Sequence, residues 1–84
     1  MDGVVINPAA FTKTGYSILD ALTACDLPFV EVHLSNINAR GGWHTETIFA
    51  SKAIGHINGF QGKVYPLGLQ ALCDYIRSSN KEWV

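Results

Sequence analysis

Glu31 and His33 place a carboxylate and an imidazole two residues apart in the segment Phe29–Leu34, whose other members are apolar. Alternate side chains of an extended strand share a face, so the two groups should meet. A carboxylate in a strand that otherwise reads as buried is costly unless it is paired. His33 is the available partner. Pairing would fix the imidazole tautomer and stabilise its charged form, which is what a catalytic acid or base requires. The bland alternative for His33 is a hydrogen-bonded core histidine. Ser35, with the backbone amides of Leu34 and Ser35, could form an anion-binding nest, although serine in a loop is more often a turn former. Asn7 precedes Pro8 and reads equally as a turn residue or as a hydrogen-bonding ligand.

Other chemistries find less support. His33, His44, His56 and Glu46 contain enough ligand types for a metal, but their spacing matches no metal motif, so no metal site is expected. Gly55, Gly59 and Gly62 lack the strand–loop–helix context of a phosphate-binding loop. No GxSxG nucleophile elbow is present.

The elements that must position these residues alternate between strand and helix. Val4–Ile6 is a β-branched run stopped by Asn7-Pro8. A helix is expected over Thr14–Ala24, with Ile18, Leu19, Leu22 and Cys25 on one stripe and Thr12 or Thr14 as cap. Asp26 and Pro28 end it, and Phe29–Leu34 follows as a second strand. Strand–helix–strand implies parallel pairing. Residues 35–42 read as loop. Residues 43–52 are ambiguous, with one short helical turn expected near Thr45. A third strand is expected over Ala53–Gly59, weakened by its glycines. A last helix begins at Pro66, with Tyr65, Leu69, Leu72, Cys73 and Ile76 on one face and Gly68 allowing close approach. A frayed tail is expected from Asn80.

The fold class is therefore α/β, a parallel sheet of three strands with flanking helices. Ligands collect beyond the carboxyl ends of such strands, where Asn7, His33 and Ser35 should converge at one rim. So few strands leave an edge with unpaired backbone groups, as expected of part of a larger sheet or of a chain that pairs with another.

Composition agrees with a single small domain. The chain has 84 residues, 48% hydrophobic and 15% charged, with a formal net charge of -1. That charge offers no field for nucleic acid or an anionic membrane. No apolar run reaches the ~20 residues of a membrane span, and the first residues carry no signal-peptide pattern. Cys25 and Cys73 are expected to be small buried hydrophobes in a reducing, cytoplasmic setting rather than a disulfide or zinc pair.

The segments Asp2–Leu22, Pro28–Arg40, Ala53–Phe60 and Tyr65–Leu72 together resemble the C-terminal half of the type II 3-dehydroquinate dehydratases. The specific block is Glu31-Val32-His33-Leu34-Ser35-Asn36 followed by Ala39-Arg40. The resemblance implies a flavodoxin-like fold, trimers assembled into dodecamers, and anti elimination of water from 3-dehydroquinate without metal or organic cofactor. It implies that His33 protonates the departing hydroxyl with Glu31 in support. Asn7 would hydrogen-bond substrate, Leu34 and Ser35 would hold its carboxylate, and Asp20 would reach a neighbouring subunit's site. The family's N-terminal half, which carries the proton-abstracting tyrosine and its companion arginine, has no counterpart here. Lys13 stands where the family has a histidine that contacts substrate hydroxyls, and His44 where it has an arginine that grips them. Trp43 replaces a smaller aromatic. A non-catalytic relative that binds a small carboxylate, or only assembles, is the alternative reading.

Overall fold

The computed structural model describes residues 2–40 and 46–78. The expected turn near Thr45, the frayed tail, and His44 itself lie outside these residues. Three strands, β1 (Val4–Ile6), β2 (Phe29–His33) and β3 (Gly55–Asn58), form one parallel sheet in the order β1-β2-β3. Helix α1 (Tyr16–Ala24) connects β1 to β2, and α2 (Val64–Arg77) follows β3.

Strand β2 is central and buried along its whole length. Its alternation divides the core. Val30 and Val32, with Val5, Ile54 and Ile57, pack with Val64 and Leu72 of α2. Phe29, Val4 and Ile6 face the other way and pack with Ile18, Leu19 and Leu22 of α1 and with the fully buried Phe49. Phe29 and Phe49 meet edge to face, with centroids 6.3 Å apart. That is a favoured geometry for paired rings. Phe49 lies in the segment that reads ambiguously in the sequence. It is held by hydrogen bonds from Ile48 N–H to Thr12 O and from Phe49 N–H to Thr47 Oγ1.

Several expectations need correction. Helix α1 begins at Tyr16, not Thr14. Its cap position is Gly15, with no side-chain cap bond, because the Thr12 hydroxyl donates instead to Ala9 O at 2.6 Å. Cys25 is exposed and Cys73 only half-buried, so neither is the buried hydrophobe expected. Cys25 is the residue that closes α1, where the stripe has already turned away from the core. The loop after β2 contains a 3-10 turn over Ile37–Arg40. Strand β3 is shorter than expected, since Ala53 and Ile54 form a bend.

Helix α2 starts two residues before Pro66, which remains within the first turn, where its missing N–H has no helical acceptor to serve. The buried face is offset from the one expected, with Leu72 common to both. Val64, Gly68 and Leu72 form it, at helical intervals of four. Tyr65, Leu69 and Ile76, expected on that face, are 44%, 55% and 38% exposed. Gly68 does permit close approach: a Cβ there would meet Val32 Cγ1 at 3.0 Å and Val5 Cγ1 at 3.3 Å.

Candidate active site

The chemistry-bearing residues of β2 share the face of Phe29. As strand alternation requires, Glu31 and His33 meet, with Nε2 of His33 2.7 Å from Oε2 of Glu31. Both are buried, Glu31 completely. Which of the two ring nitrogens carries the proton depends on the imidazole tautomer; in the tautomer with the proton on Nε2, the ring donates to the carboxylate. In that tautomer Nδ1 is the nitrogen left to exchange a proton with a ligand. The Thr47 hydroxyl donates a second hydrogen bond to the same Oε2.

A cavity of about 600 Å³ opens beside this pair, at the carboxyl ends of β1 and β2. Asn7, Thr12, Lys13, His33, Leu34 and Ser35 all line it. The parallel register produces this meeting, since Ile6 pairs with Glu31 and both strands therefore end at the same rim. Asn7 is fixed from both ends of its amide. Oδ1 accepts from Ala9 N–H at 3.0 Å, and Nδ2 donates to the Tyr65 hydroxyl at 3.1 Å. Ala9, which this turn holds, has φ 49°, in the left-handed region that a non-glycine residue rarely occupies. Lys13 Nζ donates to Glu46 O at 2.8 Å, tying the cavity wall to the segment that carries Thr47.

The loop leaving β2 is anchored to the end of β3. Gly59 N–H is shared between His33 O and Ser35 O, at 3.0 and 3.1 Å, and Gln61 N–H donates to Leu34 O at 2.9 Å. Gly59 has φ 90°, a conformation that glycine adopts without strain. These bonds hold Leu34 and Ser35 at the mouth. Asp20, by contrast, lies exposed on α1, away from the cavity.

Two neighbours of the pair were not singled out in the sequence. Thr47 sits in the ambiguous segment. His56 enters the sequence reading only as one of four possible metal ligands whose spacing fits no motif, yet the pairing of Glu31 with His56 puts its ring beside the carboxylate. Its Nε2 lies 4.0 Å from Glu31 Oε1. The signal was the alternation of His56 and Asn58 on one face, which becomes informative only once the register is known.

Residues 1–73 match the profile of the dehydroquinase class II family. The chain belongs to that family. Among curated relatives, the 3-dehydroquinate dehydratase of Geotalea daltonii is 50% identical over 76 residues, which is 90% of this chain and 53% of that protein. The catabolic 3-dehydroquinase of Penicillium rubens is 41% identical over 73 residues, covering 87% and 47% respectively. The crystal structure of type II dehydroquinase from Butyrivibrio crossotus superposes with a TM-score of 0.78 at 36% identity, over 86% of this chain and 50% of that one. The type II dehydroquinase from Propionibacterium acnes gives 0.74 at 40% identity, over 83% and 48%. The expected α/β class thus stands, and it is the flavodoxin-like fold of these dehydroquinases. The chain spans about half the length of the curated relatives it matches, and it corresponds to their C-terminal part. Among the described residues, no helix is long and apolar enough to cross a membrane.

Proposed function

We propose that this chain supplies the general-acid and carboxylate-binding side of a class II 3-dehydroquinate dehydratase, which converts 3-dehydroquinate to 3-dehydroshikimate by anti elimination of water. The observation that carries the reading is the buried Glu31–His33 pair beside a cavity that Asn7 and Ser35 also line. It is supported by membership of a family whose curated relatives are named for this reaction.

The chemistry follows from the arrangement. Hydroxide is a poor leaving group, so the elimination needs a proton delivered as the C–O bond breaks. His33 holds that proton on Nδ1, and the Glu31 charge behind Nε2 stabilises the imidazolium until it is given up. Asn7 orients the region of the leaving hydroxyl. The Leu34 and Ser35 amides and the Ser35 hydroxyl receive the substrate carboxylate, while Lys13 and His44 serve the remaining hydroxyls. The enolate that precedes C–O cleavage is generated by a base outside this chain, the tyrosine that the family carries in its N-terminal half.

That half would add to the sheet along β1. Val4 N–H bonds to Pro28 O, toward β2, so the intervening Val5 turns its backbone groups outward. The exposed stripe of Tyr65, Leu69 and Ile76 runs beside the same edge. Tyr65 is tied to Asn7, and Ile76 shares a surface hollow with Asp2. The completed protein would be a cytoplasmic homo-oligomer, with Asp20 of α1 reaching a neighbouring subunit.

The test is to join the chain covalently to the N-terminal half of the Geotalea daltonii relative and to follow enone absorbance with 3-dehydroquinate. Turnover by the joined protein, absent from either half, is the expected result. A joined protein that folds yet binds a shikimate-like acid without turnover would instead make this chain a non-catalytic relative.

A further inference from the structure

We propose that Glu31, His33 and His56 form a binding site for a divalent transition metal of the zinc class, overlapping the acid pair. Three observations point there. First, the carboxylate has one satisfied oxygen and one that is not. Oε2 takes the bonds from His33 and Thr47, while the buried Oε1 accepts none from the described residues. Glu31 has no exposure to water at all, and a buried oxygen left in this way seeks a donor or a cation.

Second, a second imidazole faces that oxygen. Nε2 of His56 lies 4.0 Å from Oε1, and the His33 and His56 rings stand 5.3 Å apart. One ligand atom from each of the three residues falls within 4.8 Å of the others. Ligands around a tetrahedral zinc ion lie about 3.3 Å apart, as bonds of about 2.0 Å require. The cluster is therefore slightly open, and a small shift of one side chain closes it.

Third, the residue free to make that shift is the one with access to solvent. The His56 side chain is 25% exposed on an edge strand, while Glu31 and His33 are held in the sheet centre. Two imidazoles and one carboxylate, with water in the remaining position, is a donor set that zinc-class ions accept and magnesium does not favour. This trio keeps only His33 and His56 of the His33, His44, His56 and Glu46 set weighed from the sequence, and adds Glu31. Glu46 is not among its ligands.

Such an ion would take the place of the proton on Nε2 of His33, which is released to solvent or moves to Nδ1, and would displace the hydrogen bond to Glu31. Under the function proposed above, it therefore blocks the acid rather than assisting it. The two ideas fail separately, because metal binding is read on this chain whether or not the completed protein turns over.

The experiment is a titration of the purified, metal-free chain with Co²⁺, followed by its visible d–d absorbance, then displacement by Zn²⁺. One equivalent should saturate the spectrum. Loss of a direct ligand should weaken binding by at least the roughly 10–100-fold that loss of an outer-shell partner costs, so His56→Ala should abolish saturation while Glu46→Gln, an exposed residue outside the cluster, leaves it intact. Imidazole resonances of wild-type His33 and His56 should shift together on adding Zn²⁺, a readout independent of whether any variant folds. A spectrum carrying sulfur charge-transfer bands from Cys25 or Cys73, survival of binding in folded His56→Ala, or unmoved imidazole resonances would each overturn the site.

Discussion

Glu31 is the residue on which the site turns, since it is wholly buried and holds both His33 and Thr47 on one oxygen. Glu31→Gln keeps the shape but removes the charge behind the imidazole. A charge-assisted hydrogen bond contributes about 1.5–3 kcal/mol, so in the completed enzyme kcat should fall roughly 10–100-fold at similar KM. Steady-state kinetics check this, and an unchanged kcat would mean that the carboxylate has only a structural role. The Glu31–His33 pair was legible in the sequence because strand alternation is a strict two-residue rule, and a lone carboxylate among Phe29, Val30 and Val32 demands a partner. Thr47 and His56 were not legible. One reaches Glu31 from a point sixteen positions later in the sequence, and the other through a register that only the paired strands define.

At the scale of elements, the sheet and α2 depend on a close approach at Gly68. A side chain there would press on Val32 and Val5, both next to the strand ends that carry the site. Overpacking a filled core costs about 1–3 kcal/mol, so Gly68→Leu should lower stability by that amount in urea unfolding and loosen the Asn7–Tyr65 contact. Stability equal to wild type would mean that the helix has room to move away. The parallel strands and both helices were legible from their apolar runs and from Pro8 and Pro28. The position of α2 was misread by one face. Pro66 suggested a first helical residue, whereas the 3-10 turn at Gln61–Lys63 leads straight into a helix that begins at Val64. Phe49, wholly buried against Phe29, had no periodic signal, because it enters the core from irregular chain.

At the scale of the molecule, no described residue pairs with the outer edge of β1, one of the two edges of the sheet, and the exposed stripe of α2 lies beside it. Joining the N-terminal half should therefore slow amide exchange at Val5, whose N–H faces outward, far more than at Val4, which already bonds to Pro28 O. Hydrogen exchange read by NMR in the chain alone and in the joined protein checks this. Equal change at both amides would mean that the halves meet elsewhere. Composition fits such an open surface: 48% of the residues are hydrophobic, and Tyr65, Leu69 and Ile76 are among the large hydrophobics left exposed. The position of the open surface needed the strand order.

The most direct measurement is the single-turnover rate of enone formation by the joined protein with His33 intact and with His33→Ala. With His33 in the proposed acid role, its loss should slow the reaction by the ~10²–10⁴-fold that general acid catalysis contributes, with substrate still bound. A His33→Ala rate within a few-fold of wild type, in a folded protein, would contradict the assignment of the acid.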